Sequence, residues 1–103
     1  MKHIALLGST GSIGVNTLDV IRRFPDRFRV VGLAAGHNID LLAAQTAEFS
    51  PRLISIENEA DVPRLRAMLP AAWRGEIVRG PAGVNAVAAM AEADVTVVAM
   101  VGA

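Results

Sequence analysis

Ile4-Ala5-Leu6-Leu7-Gly8-Ser9-Thr10-Gly11-Ser12-Ile13-Gly14 decides how the rest of this chain is arranged. Ile4 to Leu7 is an unbroken apolar run. So short a run, bounded by glycine, predicts a strand buried on both faces. Gly8, Gly11 and Gly14 follow at a spacing of three, and a helical pattern takes over. Gly8 can adopt backbone angles closed to residues with a Cβ. Gly11 leaves bare main chain to face a diphosphate, and Gly14 lets the helix lie close on the strand. Free amides in the helix's first turn, at the positive end of its dipole, make such a bend an anion seat. The hydroxyls of Ser9, Thr10 and Ser12 add donors to the same rim. A glycine triplet by itself fits a ligand-free turn equally well. Here a strand precedes it, a helix follows and a second strand comes on schedule, which favours phosphate or dinucleotide binding. The spacing Gly-x-x-Gly-x-x-Gly is a relative of the usual Gly-x-Gly-x-x-Gly fingerprint, not a copy.

Outward from this turn, strand and helix alternate. Strand one is expected over Lys2–Gly8. A first helix from Ser12 should turn Ile13, Thr17, Val20, Ile21 and Phe24 inward until Pro25 ends it. Phe28–Ala35 reads as strand two. Asn38 can cap a second helix that buries Ile39, Leu42, Ala43, Thr46 and Phe49. Leu53–Glu57 reads as strand three. Asp61 is expected to cap a third helix, with Pro63 in its first turn and Val62, Leu65 and Leu69 inward. Glu76–Arg79 is a brief strand, and Gly80-Pro81 opens a fourth helix with Val84, Val87, Ala88 and Ala91 inward. Asp94–Met100 reads as a last, buried strand. Trp73 is expected to cover a helix end. Alternation of this kind predicts an α/β fold, a Rossmann-like doubly wound parallel sheet, here truncated. Strands two and three should lie to one side of strand one, the last strand on the other, and Glu76–Arg79 on the outer edge beyond strand three. The order then reverses at strand one, and a crevice opens at the carboxyl end where the glycines sit.

Bulk properties narrow the function. The chain has 103 residues, enough for one domain with a workable core. Ten basic residues balance ten acidic ones, so no basic stripe points to nucleic acid and no polybasic segment to a membrane surface. No apolar run reaches the length of a membrane span, and the first residues lack a signal-peptide layout. Absence of cysteine excludes a disulfide framework and thiol catalysis, and fits a cytoplasmic setting. No carboxylate pair, His/Cys cluster or Ser-His-Asp arrangement has usable spacing, so no catalytic or metal-binding residue is expected within the chain.

The end of strand two is the second informative point. In dinucleotide-binding folds an acidic residue there takes the adenosine ribose 2′-hydroxyl. Here the strand ends Ala34-Ala35-Gly36-His37-Asn38, without a carboxylate. Nothing in that segment repels a 2′-phosphate, while His37, Asn38 and the helix amides behind them can donate to one. NADP is therefore favoured over NAD. His37 is equally readable as a solvent-facing loop residue, and Asn38 as an ordinary helix cap that also meets a ligand.

Gly8-Ser-Thr-Gly-Ser-Ile-Gly14 with Thr17-Leu18-Asp19-Val20, then Phe28-Arg29-Val30-Val31 running to Gly36-His37-Asn38, closely resembles the start of the 1-deoxy-D-xylulose 5-phosphate reductoisomerase family. Phe49-Ser50-Pro51-Arg52 and Ala99-Met100-Val101-Gly102-Ala103 extend the resemblance along the whole chain. It implies that residues 1–103 are the NADP-binding Rossmann-like domain of a longer enzyme. That enzyme rearranges 1-deoxy-D-xylulose 5-phosphate and reduces it with NADPH to 2-C-methyl-D-erythritol 4-phosphate in non-mevalonate isoprenoid synthesis. It also implies a divalent metal (Mg, Mn or Co) whose ligands lie beyond this chain, a phosphorylated sugar as substrate, and a homodimer at full length. Carried across, Thr10, Gly11, Ser12 and Ile13 would meet the cofactor's phosphates and nicotinamide side. Gly36, His37 and Asn38 would surround the adenosine 2′-phosphate, and Ala99, Met100 and Val101 would line the nicotinamide wall. The family often has lysine at position 37, so histidine there is expected to weaken that contact. The stretch alone is expected to be inactive and to expose Val95–Met100 as a sheet edge. Other NADP-dependent reductases, or a non-catalytic NADP(H)-sensing domain, would share the same half-fold.

Overall fold

A computed structural model describes residues 1–100. In chain order these build β1 (Lys2–Leu7), α1 (Ser12–Arg23), β2 (Phe28–Ala34), α2 (Ile39–Phe49), β3 (Leu53–Ile56), a 3₁₀ turn (Glu59–Asp61), α3 (Val62–Met68), β4 (Glu76–Arg79), α4 (Gly80–Ala88) and β5 (Val95–Val98). Every strand pairing is parallel, in the order β4-β3-β2-β1-β5. The expected reversal at β1 is therefore present, and so is β4 on the outer edge.

Strand periodicity splits the core into two layers. Ile4 and Leu6 point into one cluster with Leu18 and Ile21 of α1, Leu42 of α2 and Leu65 of α3. Ala5 and Leu7 point the other way, against Val87 and Val84 of α4. Helices of the outward steps thus share one face, and the helix that returns toward β5 covers the other. Right-handed crossovers produce this arrangement. Ser50, in the left-handed region at φ 47°, ends α2 by donating its N–H to the Thr46 carbonyl, and Pro51 follows.

Several expected faces are corrected. In α1 the buried residues are Gly14, Leu18 and Ile21, whereas Ile13, Val20 and Phe24 are exposed and Thr17 is only half-buried. The true stripe lies one residue round the helix, because Gly14 brings the axis down onto the turn. In α4 the buried pair is Gly83 and Val87; Ala88 is exposed, and Ala91 lies past the helix end. Met90 instead continues that stripe over Gly32. Asp61 makes no capping hydrogen bond; Asn58 Oδ1 accepts from Ala60 N at 3.0 Å and starts the segment one turn earlier. Trp73 sits at the carboxyl end of α2, against the residue that follows its C-cap Ser50. Its Nε1 donates to the Pro51 carbonyl at 2.7 Å, and its ring packs against the core beside β3.

β5 is an edge strand. Val95 and Val98 are exposed and only Val97 reaches the core, so the buried character read from its composition does not hold. Its entry is clasped to β1 by reciprocal bonds. His3 N donates to Asp94 Oδ2 at 2.8 Å, and Asp94 N donates to the His3 carbonyl at 2.8 Å. That amide contact holds the Asp94 carboxyl below the usual carboxylate range. On the opposite side Arg22, bound to both Glu48 and Asp19, does the same for Glu48. A carboxyl depressed in the folded state adds stability above its unfolded pKa and loses it as pH falls through the folded value. Melting temperature should therefore hold down to about pH 5 and decline below about pH 4. Asp94→Asn with Glu48→Gln should flatten that decline. An equally steep acid limb in the double variant would refute the assignment.

Candidate dinucleotide-binding site

The turn after β1 is built from main-chain contacts. Gly8 N and Ser9 N both donate to the Ala34 carbonyl, at 2.8 and 3.0 Å, which lashes the turn to the end of β2. Gly8 sits at φ +86°, and a Cβ there would meet Met100 N at 2.9 Å. Gly11 is the N-cap of α1, in extended conformation, with no side chain to bond the helix amides. A Cβ placed on Gly11 would find only the Gly8 carbonyl oxygen, at 3.8 Å. The face of Gly11 is therefore open, and Ser12 and Ile13 beside it are exposed. Their amides belong to the first turn, where an α-helix offers no acceptor.

Ser9 departs from expectation. It is fully buried, so its hydroxyl is not on the rim with those of Thr10 and Ser12. Its carbonyl accepts from Gln45 Nε2 at 2.8 Å, in the interior. Gln45 thus props the turn from α2, a role that sequence reading missed. The signal was a lone amide among Leu42, Ala43 and Thr46 on the buried face of α2.

The second cluster leaves the sheet at the same level, since Leu7 of β1 pairs with Ala34 of β2. Asn38 Oδ1 accepts from Leu41 N at 3.2 Å and caps α2 as expected. His37 is exposed, and its Nε2 lies 2.9 Å from Glu57 Oε2 at the end of β3. The segment after β2 carries no carboxylate, but its neighbour strand brings one to it.

Between the two clusters lies a cavity of about 300 Å³ lined by Gly8, Ala34, Gly36, Glu57, Val84 and Met100, among others. It sits at the carboxyl ends of β1, β2 and β3, the position expected of ligands in open α/β sheets. Small residues line its floor and one carboxylate its rim, which suits a nucleoside. A larger opening of about 520 Å³, beside Pro51, Trp73 and Gly75, lies at the amino ends of β3 and β4 and has no glycine turn. Of the residues expected along the nicotinamide wall, Met100 reaches the cavity. Ala99 is buried, with its N–H on the Leu7 carbonyl at 2.8 Å, and Val101 lies outside the described residues. Among the described residues no group of three or more His, Asp or Glu side chains is placed to hold a metal ion. No described helix is long and apolar enough to cross a membrane.

Five parallel strands, helices on both faces and a glycine turn at the point of reversal define a Rossmann-like α/β domain. The family model for 1-deoxy-D-xylulose 5-phosphate reductoisomerase matches residues 4–103, and the chain belongs to that family. It is 50% identical over 103 residues to the 1-deoxy-D-xylulose 5-phosphate reductoisomerase of Geotalea uraniireducens, covering 100% of this chain and 26% of that protein. Identity to the same enzyme from Thermosynechococcus vestitus is 48%, covering 99% and 25%. A solved DOX-P reductoisomerase in complex with NADPH, fosmidomycin and magnesium superposes with a TM-score of 0.91 at 33% identity, covering 99% of this chain and 25% of that one. The chain thus spans about a quarter of the length of the relatives it matches.

Proposed function

We propose that residues 1–103 form the NADPH-binding portion of a 1-deoxy-D-xylulose 5-phosphate reductoisomerase. One observation carries the reading: the face of Gly11 is open at the N-terminus of α1, in a turn whose Gly8 borders a cavity at the reversal of strand order. NADPH and magnesium in the superposing reductoisomerase support it. On this reading the amides of Ser12 and Ile13, with Thr10 and Gly11, hold the diphosphate. Gly36, His37 and Asn38 hold the adenosine end, and Ile13 and Met100 flank the nicotinamide. When bound, the cofactor supplies the hydride that reduces the rearranged sugar phosphate. The chain's own residues bind and orient it. The divalent ion, Mg²⁺, Mn²⁺ or Co²⁺, and the catalytic groups come from outside this stretch. The reading extends to a cytoplasmic homodimer acting on a small phosphorylated sugar, with no nucleic-acid partner.

Titration of the full-length protein with NADPH and NADH, followed by cofactor fluorescence, tests the binding step. NADPH should bind the more tightly, and adding 1-deoxy-D-xylulose 5-phosphate and Mg²⁺ should then consume it. Absence of any NADPH signal would overturn the reading.

A further inference from the structure

Glu57 has no part in the binding scheme above, yet it stands at the adenosine end of the cavity. Its carboxylate lines that cavity and contacts His37 Nε2 at 2.9 Å. Its backbone N–H donates to the Gly36 carbonyl at 3.3 Å, so the residue is fixed against the 36–38 segment on the main-chain side as well. Both side chains are largely solvent-exposed, 73% for His37 and 64% for Glu57, and neither is held by the core. The pair therefore exists because the ends of β2 and β3 are neighbours. Arg79, at the end of β4, pairs with Glu59 at 3.1 Å, and Asp40 adds a further carboxylate in the first turn of α2.

Resting on the dinucleotide reading, we propose that Glu57 sets how strongly this site discriminates between 2′-phosphorylated and plain dinucleotides. An adenosine 2′-phosphate entering at Gly36–Asn38 must compete with this carboxylate for the one imidazole and is repelled by it. A ribose bearing free hydroxyls meets the same carboxylate as an acceptor, the role an acidic residue at the end of strand two plays in NAD-binding folds. Glu57 supplies that acceptor from β3 instead of β2. The site consequently admits NADH, and its preference for NADPH is held down by one residue.

The test compares the dissociation constants of NADPH and NADH for the full-length protein and for Glu57→Gln, which keeps size and polarity and removes the charge. The ratio of the NADH constant to the NADPH constant should rise about tenfold in the variant, the size expected of one screened charge contact. NADPH should tighten while NADH weakens or stays level. A purely structural role would move both constants in the same direction, and that result, or an unchanged ratio, would overturn the proposal. A parent protein that binds neither dinucleotide would overturn the cofactor reading itself, and this proposal with it. Glu57→Ala should raise the ratio in the same direction, and a fall there would count against the charge argument.

Discussion

Gly14→Ala should destabilise this domain by about 3 kcal/mol or more, a large share of the stability a domain this size possesses. The added Cβ would fall inside the Gly8 carbonyl oxygen and lie 2.8 Å from both the Cα and the carbonyl carbon of Ser9. All three obstacles are backbone, and that backbone is already committed. Gly8 N and Ser9 N are bonded to the Ala34 carbonyl, and the Ser9 carbonyl is held by Gln45. Relief would require α1 to lift from the sheet, uncovering Leu18 and Ile21, which are 1% and 6% exposed. Gly36→Ala is the internal control, because its Cβ would meet only Glu57 Oε2, at 3.8 Å. That variant should stay within about 1 kcal/mol of the parent. Urea denaturation of the three proteins makes the comparison. A Gly14→Ala midpoint equal to the parent's would show that the close approach of α1 does not hold the turn in place.

The same glycine explains which parts of the fold could be read from the residues and which could not. Strand order and the reversal at β1 were legible, because apolar runs such as Ile4–Leu7 and Phe28–Ala34 alternate with helical stretches, the first three of them stopped by Pro25, Pro51 and Pro70. Helix faces were less legible. In α1 the apolar residues Ile13, Val20 and Phe24 form a stripe as regular as the buried one, Gly14-Leu18-Ile21. A residue without a side chain carries no weight in a hydropathy pattern, yet it decides which side of a helix can approach a sheet. α4 repeats the case in part: Val87 is buried and Val84 half-buried as expected, but Gly83 and Met90 complete the packed stripe where Ala88 and Ala91 were expected. The candidate site divides the same way. Its glycine turn and the Gly36-His37-Asn38 segment are contiguous and could be seen in one dimension. Gln45 and Glu57 reach the site only through packing of α2 and pairing of β3; a lone amide on the buried face of α2 marks the first, and no local pattern announces the second.

Gly11→Asp should do the opposite of Gly14→Ala: leave the fold intact and remove the cofactor. Gly11 lies at φ −78° and ψ 172°, extended backbone open to any residue, and its Cβ would have free space. Aspartate is a preferred N-cap and complements the helix dipole, so stability should change by no more than about 0.5 kcal/mol, and upward if at all. The same carboxylate would bond the first-turn amides that the diphosphate is proposed to use, and would set a fixed negative charge against it. NADPH affinity should fall about 100-fold, the combined size expected of a lost charge-assisted hydrogen bond and a like-charge contact. Fluorescence titration and urea denaturation on one preparation measure both quantities. Undiminished NADPH binding in a folded Gly11→Asp protein would mean that the diphosphate sits elsewhere. Paired with Gly14→Ala, the variant separates the glycine that lets α1 reach the strand from the glycine that leaves its N-terminus bare, although the two lie within a single turn of chain.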